Sequence, residues 1–444
     1  MGTATRARNG RTTGQAPDTS RRQRSNAPRA QVARGVPATT TLRPLSRTSR
    51  VGPLQLRQLV LVESALALVA VGLALGGLWL VPTCVVAGAL VLLAVIRRRG
   101  HALQDWLSTA QALRARRRNT APAAPDTDAS LAPVAESVPG LRPSPYVDRN
   151  RRTIGMLGDG SFLTAVVRVE ASGSALRPAF GARALPLSLL GDALAVDDIQ
   201  AESVQLVQQV RAAPAPHLPQ QSVARLSYAP LQEKTGAPAL RMTWVAVKLD
   251  PELCPEAVAA RGGGFEGAQR CLVRVADHVA SRITGAGFQA VVLDQEELNS
   301  TMATAACASP RAAARAGRPD TAPQRRTTET SRVWRCDDRW HTTYAVGRWP
   351  ELGRGATPLP KLVSLLTAVP AYATTFSLTV RRGSRQGTMD IGGHVRITGG
   401  SDTELVGVRR ALEQAARTAK VGLLRLDREQ LPGVLATMPL GGAR

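Results

Sequence analysis

No charged residue occurs between Ser64 and Ile96, and counted back to Gln58 the apolar stretch is 39 residues long. A run of that length is no buried core helix, because about 20 helical residues already cross a bilayer core about 30 Å thick. Lysine is scarce, with four among 57 basic residues. Alanine and glycine are abundant, so part of the net charge of +24 reflects GC-rich codon usage. The five cysteines (Cys84, Cys254, Cys271, Cys307, Cys336) have no C-x-x-C spacing, which excludes a disulfide framework and a zinc site. The chain has no G-x-x-x-x-G-K-[ST] loop and no G-x-S-x-G elbow, so it is neither a P-loop ATPase nor a serine hydrolase of that type. Its one D-x-D, Asp126-Thr127-Asp128, falls in a Pro/Ala-rich stretch. His101, His217, His278, His341 and His394 show no ligand spacing, and His341 reads as a packed, satisfied histidine. Asp197-Asp198 and Asp337-Asp338 read as solvated turns. No catalytic residue, metal or cofactor is expected. Residues 1–50 contain no aromatic at all, which argues against stacking on nucleic acid.

What is present begins with arginine on both sides of the apolar run. Arg43, Arg47, Arg50 and Arg57 precede it; Arg97, Arg98, Arg99, Arg114, Arg116, Arg117 and Arg118 follow. Gly76, Gly77, Trp79 and Pro82 interrupt its middle. These features predict two transmembrane helices, about 58–76 and 80–96, in a hairpin spanning 51–98. Both basic flanks are then cytoplasmic, facing anionic lipid headgroups. A single tilted span is the alternative. The run lies too deep and is too long for a signal peptide. Glu63, its lone acid when counted from Gln58, either snorkels to the interface or meets a partner's helix. Residues 1–50 read as a disordered basic tail. Leu103, Trp106, Leu107, Ala110 and Leu113 recur at helical spacing, predicting a juxtamembrane amphipathic helix over 99–118, with packing on the soluble domain as the alternative. A Pro/Ala-rich linker (119–145) leads to an α/β domain over 146–442, with a mobile insert at 303–330.

That domain opens with a hairpin, Thr153–Gly158 and Ser161–Glu170, turning at Asp159-Gly160. A short helix over Leu187–Leu194 and a strand over Val204–Val210 follow. Two later segments repeat in outline. The first is strand Met242–Leu249, glycines 262–264, helix Ala268–Thr284 and strand Ala290–Leu293. The second is strand Thr375–Val380, glycines 392–393 and 399–400, helix Thr403–Ala419 and strand Leu423–Leu426. Each ends in L-D-x-E-x-L. Asp294 with Glu297, and Asp427 with Gln430, are placed as reciprocal helix caps. The outline fits a duplication or two ordinary β-α-β units. Gly262, Gly264 and Gly267 spell G-x-G-x-x-G but stand apart from the preceding strand. They read as a loop opening a helix, with nucleotide binding as the alternative.

The ordered series resembles the actinobacterial type VII secretion protein EccE. It comprises the paired membrane helices; Thr153-Ile154-Gly155 to Asp159-Gly160; Trp244-Val245-Ala246-Val247-Lys248-Leu249-Asp250-Pro251; Ala260-Arg261-Gly262-Gly263-Gly264; Trp334, His341 and Trp349-Pro350; Thr374-Thr375-Phe376-Ser377-Leu378-Thr379; and Leu426 through Gly442. The resemblance covers roughly residues 50–442. It implies a non-catalytic membrane subunit of an ESX-type secretion core, in a hetero-oligomer with EccB, EccD and the ATPase EccC. It also implies a glycosyltransferase-like α/β fold. The alternative is a membrane-tethered glycosyltransferase-related enzyme or sugar-nucleotide-binding protein.

Overall fold

The computed structural model describes residues 50–442, apart from 52–53, 78–79, 96, 99–100, 125, 172–183, 212–220, 224–225, 228–229, 231–239, 319–323, 351–357 and 384–387. The chain divides into a unit over Met1–Ala38, which lies outside the described residues with nearly all of the expected basic tail, and a unit over Thr39–Arg444. The second unit opens with helices α1 (Leu56–Leu75) and α2 (Leu80–Val95), which pack against each other. Among the described residues no helix is long and apolar enough to cross a membrane. Helix α3 (Leu103–Asn119) follows.

The rest is a mixed α/β domain built on one antiparallel sheet of 12 strands. These are β1 (Arg142–Pro143), β2 (Met156–Gly158), β3 (Leu163–Ala171), β4 (Ser203–Arg211), β5 (Leu240–Leu249), β6 (Phe288–Val292), β7 (Thr327–Glu329), β8 (Trp334–Cys336), β9 (Arg339–Arg348), β10 (Ala373–Arg382), β11 (Met389–Gly399) and β12 (Gly422–Arg425). The order across the sheet is β7-β8-β9-β11-β10-β4-β5-β3-β2-β1, with β6 also on β3 and β12 also on β9. Both faces are buried. On β5, Val245, Val247 and Leu249 enter one core; Trp244 and Ala246 enter the other. The first core is covered by α5 (Ser188–Asp192), α6 (Pro255–Ala260), α7 (Gly264–Gly285), α10 (Leu359–Thr367) and α11 (Asp402–Thr418). The second lies under α4 (Ala132–Ser137), α8 (Gln295–Ala305) and α12 (Gln430–Ala436). Helix α9 (Pro310–Ala316) precedes β7.

The sheet has two halves with one order of elements. Setting aside α6, the short 3-10 turn Pro251–Leu253 and two two-residue ladders outside the sheet, the series α4-β1-β2-β3-α5-β4-β5-α7-β6-α8 is followed by α9-β7-β8-β9-α10-β10-β11-α11-β12-α12. The corresponding strands β4 and β10 lie side by side at the centre, antiparallel, with Val207 opposite Ser377. Outward from that pair, β5 and then β3 match β11 and then β9. Like strands meeting antiparallel at the middle is the arrangement a local two-fold axis produces.

Several sequence expectations change. Segment 119–145 is no simple linker: Leu131, Val134, Val138 and Leu141 are core residues. Segment 303–330 contains the end of α8, all of α9 and β7, with Thr327 and Glu329 buried, so it is built into the domain rather than a mobile insert. Gly392 and Gly393 lie inside β11, not in a turn. The counterpart of β5 is therefore β11, one strand later than the sequence outline paired it. The first hairpin turns over four residues, because Gly158 pairs with Leu163. Asp159 Oδ1 accepts from the Ser161 amide at 2.9 Å, closing that wider turn.

Candidate functional site

The residues expected to meet membrane or partner lie at the start of the described chain. Glu63 is exposed on α1 and Pro82 is exposed on α2. Around them Leu66, Val71, Leu73, Val81, Val85 and Val86 are also exposed, so the paired helices present an apolar exterior. Trp79 and Arg99 lie outside the described residues. Arg97 and Arg98 form a two-residue ladder with His101 and Ala102. Trp106 lies within α3, but its side chain is outside the described residues, as are those of Arg97 and Arg98.

Helix α3 ends on Arg116, Arg117 and Arg118, where cations suit the negative end of the helix dipole. Arg116 reaches across to β7. Its Nε donates to Glu329 Oε2 at 2.9 Å and its Nη2 to Glu329 Oε1 at 3.0 Å. The same Nη2 donates to the Arg428 carbonyl at 2.6 Å, and Arg117 Nε donates to the Glu329 carbonyl at 2.9 Å. Glu329 Oε1 also accepts from the Leu431 amide, in the first turn of α12, at 3.0 Å. One buried carboxylate thus joins α3, β7 and α12. The sequence placed Arg116 in the basic flank facing lipid headgroups and singled out Glu329 not at all; the structure pairs the two across 213 positions.

The chemistry-bearing side chains of the domain are dispersed. Among the described residues no group of three or more His, Cys, Asp or Glu could hold a metal ion. The acids are tied to arginines: Asp198 to Arg261, Asp197 to Arg274, Asp277 to Arg152. Asp337 was expected in a solvated turn. It is instead largely buried, bonded to Arg326 through both oxygens and to the Ser309 amide at 2.8 Å. Asp128 of the D-x-D closes the turn that precedes α4, accepting from the Ser130 amide at 2.7 Å and from Asn299 Nδ2 at 3.2 Å. Gly262, Gly263 and Gly264 take φ of 102°, 70° and 59°, which sharpens the turn into α7.

Two buried polar sites lie on the same face of the corresponding strands β5 and β11, under the second core, two residues apart in register. In the first half, Lys248 is almost fully enclosed, 3.1 Å from Glu202 and 4.3 Å from the Phe162 ring centre. In the second, Arg396 is fully enclosed and donates through Nη2 to the Ala305 carbonyl at the C-terminus of α8. That dipole end offsets part of the cost of burying the charge. His341 beside it is wholly buried against Trp334, ring centroids 5.0 Å apart. Its Nδ1 lies 3.0 Å from Thr398 Oγ1 while Nε2 finds no hydrogen-bond partner among the described residues, so there this histidine is half-satisfied. Burial holds the His341 imidazole well below the ordinary histidine range, with the Arg396 charge adding to the effect.

The two expected caps differ. Asp294 is the N-cap of α8: its Oδ1 accepts from the Glu297 amide at 2.8 Å, and Glu297 Oε2 accepts from the Asp294 amide at 3.3 Å. Asp427 does not cap α12, whose N-cap is Glu429. It pairs with Arg425 at 2.7 and 2.8 Å. Gln430 accepts from the Thr343 amide at 2.8 Å and donates to the Leu426 carbonyl at 2.7 Å.

Residues 237–346 match the EccE family, described as "Putative type VII ESX secretion system translocon, EccE". The matched segment runs from β5 into β9 and so crosses from the first half of the sheet into the second. No curated protein matches the chain.

Proposed function

We propose that this protein is a non-catalytic scaffold subunit of a type VII secretion core. The match of residues 237–346 to a translocon family carries the reading. Neither helix is long and apolar enough to span a membrane on its described residues alone, but with the side chains of 56–62, which lie outside them, counted from the sequence, the hairpin would anchor the chain in the cell membrane. Taken over its 20 residues, α1 rises about 30 Å and carries only Arg57 and Glu63 as charges. The 16 residues of α2 rise about 24 Å, with Arg97 and Arg98 close behind to reach the headgroups. The exposed valines and leucines of both helices would face lipid or neighbouring helices. Both termini are then cytoplasmic. A hairpin with so few charges cannot line a wet channel alone, so the contribution is binding: the helices and the sheet domain dock on the ATPase EccC and on EccB and EccD.

Affinity purification of the tagged full-length chain from detergent-solubilised membranes tests this. EccB, EccC and EccD should accompany it, and deletion of residues 58–96 should release it from membrane and complex together. Migration of the full-length chain alone, under conditions that keep the other core subunits assembled, overturns the reading.

A further inference from the structure

We propose that the Arg116–Glu329 pair is a clamp that holds α3 rigidly on the sheet domain in the full-length protein, so that the chain coming from the α1–α2 hairpin enters the domain through a fixed helix and not through a hinge. The inference goes beyond the scaffold reading and does not depend on it.

Several observations converge. Glu329 is 4% exposed and the Arg116 side chain 16%, so the pair is screened from the water that weakens most surface ion pairs. Its geometry is two-toothed, which fixes direction as well as distance. A third bond to the Arg428 carbonyl and the Arg117 bond to the Glu329 carbonyl hold the same turn of α3 from two more sides. One turn earlier, Leu113 is buried. Beyond α3, after Thr120 bonds back to the Arg116 carbonyl at 2.6 Å, the chain reaches α4 and the core at Leu131 within about a dozen residues.

The composition of 119–145 reads as a hinge, and a hinge would let the domain swing freely. The clamp lies before that segment, so α3 is already attached to β7 and α12 when the chain enters it. Displacement of the sheet domain is then passed to α3 rather than absorbed after it. Glu329 also holds the first turn of α12, so a partner that shifts α12 pulls on the clamp directly. Arg114 and Arg118 stay on the exposed side of α3, apart from the clamp.

The experiment uses the full-length chain in detergent, with Cys84→Ala and spin labels at positions 111 and 332; the other four cysteines are buried. The inter-label distance should show one narrow distribution. Arg116→Ala should broaden it about twofold or more, and trypsin cleavage within 114–118 should accelerate about tenfold as α3 detaches. The thermal midpoint of the sheet domain should change little. A broad distribution in the unsubstituted protein overturns the proposal. So does a narrow one in Arg116→Ala. Collapse of the domain midpoint in that variant would do so too, because Arg116 would then be part of the fold and not a clamp upon it.

Discussion

Asp294 and Asp427 occupy the same place in the same six-residue pattern, yet only one caps a helix. The N-cap needs extended backbone just before the first helical residue. Asp294 has φ −76° and ψ −179°, and α8 starts at the next residue. In the second half Arg428 takes φ 67°, which delays the helix to Gln430 and leaves Asp427 facing Arg425. The letters carry no signal for that one left-handed residue, so the first cap was legible and the second was not. Asp294→Ala should cost about 1 kcal/mol, within about 0.5–2, in denaturant unfolding. Asp427→Ala removes a partly buried ion pair that water still reaches and should cost less, about 0–1 kcal/mol. A larger loss at Asp427 would contradict this assignment. The histidines give the domain a pH dependence. His394 is half-buried as a residue, but its Nδ1 is sealed from water, and burial lowers its pKa to about 4. Below the ordinary value near 6.5 the unfolded chain takes up a proton that the folded chain refuses, and His341 acts in the same direction. Stability is therefore fully present above pH 6.5 and is lost as pH falls toward 4. Glu136 opposes this weakly at the acid end, since desolvation raises its carboxyl. The thermal midpoint should drop between pH 7 and 5, and His394→Gln should flatten the slope. An unchanged slope would remove His394 from the account.

Elements with strong periodicity were legible: β4, β5, α7 and α11 lie within a few residues of their predicted places, and the apolar run placed the helices α1 and α2 but not their expected membrane-spanning length. The errors fall where burial comes from distant contacts. Helix α4 has six residues and a proline, too few to show an apolar period, and its neighbours read as a tether. Its burial is tertiary. Glu136 accepts from the Arg326 and Thr327 amides, which stitches α4 to β7 across 190 positions of chain. The same stitching explains the misread insert at 303–330, whose alanines and arginines resemble a loop until β7 is placed. The clamp between Arg116 and Glu329 was invisible for the same reason. A tether and a core helix differ in a measurable way. Leu131 is fully buried, so Leu131→Ala should cost about 2–5 kcal/mol in chemical denaturation. A cost under about 0.5 kcal/mol would restore the linker reading.

The repetition of the two halves has a consequence for the whole molecule, because each half ends in a segment that crosses to the other. After α8, Cys307 Sγ accepts from Gln209 Nε2 at 3.2 Å and lies near Thr398, covering the Arg396 site. After α12, the Leu440 carbonyl accepts from Thr164 Oγ1 at 3.2 Å and the Gly441 carbonyl from Ser203 Oγ at 2.6 Å, covering the Lys248 site. The Gly441 amide donates to Gln205 Oε1 at 2.8 Å. Both crossings are held by glutamines of β4, at the middle of the sheet. An exchanged arrangement of this kind leaves neither half able to close its own core. The two halves should therefore unfold as one unit although each repeats the other's order. Gly441 supplies a direct test. Its φ of 84° strains any side chain, and a Cβ there would overlap the Lys248 side chain. Gly441→Ala should destabilise by about 1–3 kcal/mol or more. The loss should appear equally in both halves, although residue 441 follows the second half and covers the first. Hydrogen exchange can follow amides of β5 and β11 separately. Equal loss of protection in both strands is the expected result. Loss confined to β5 would mean that the crossing segment serves the first half alone, and that the sheet is two independent domains laid edge to edge.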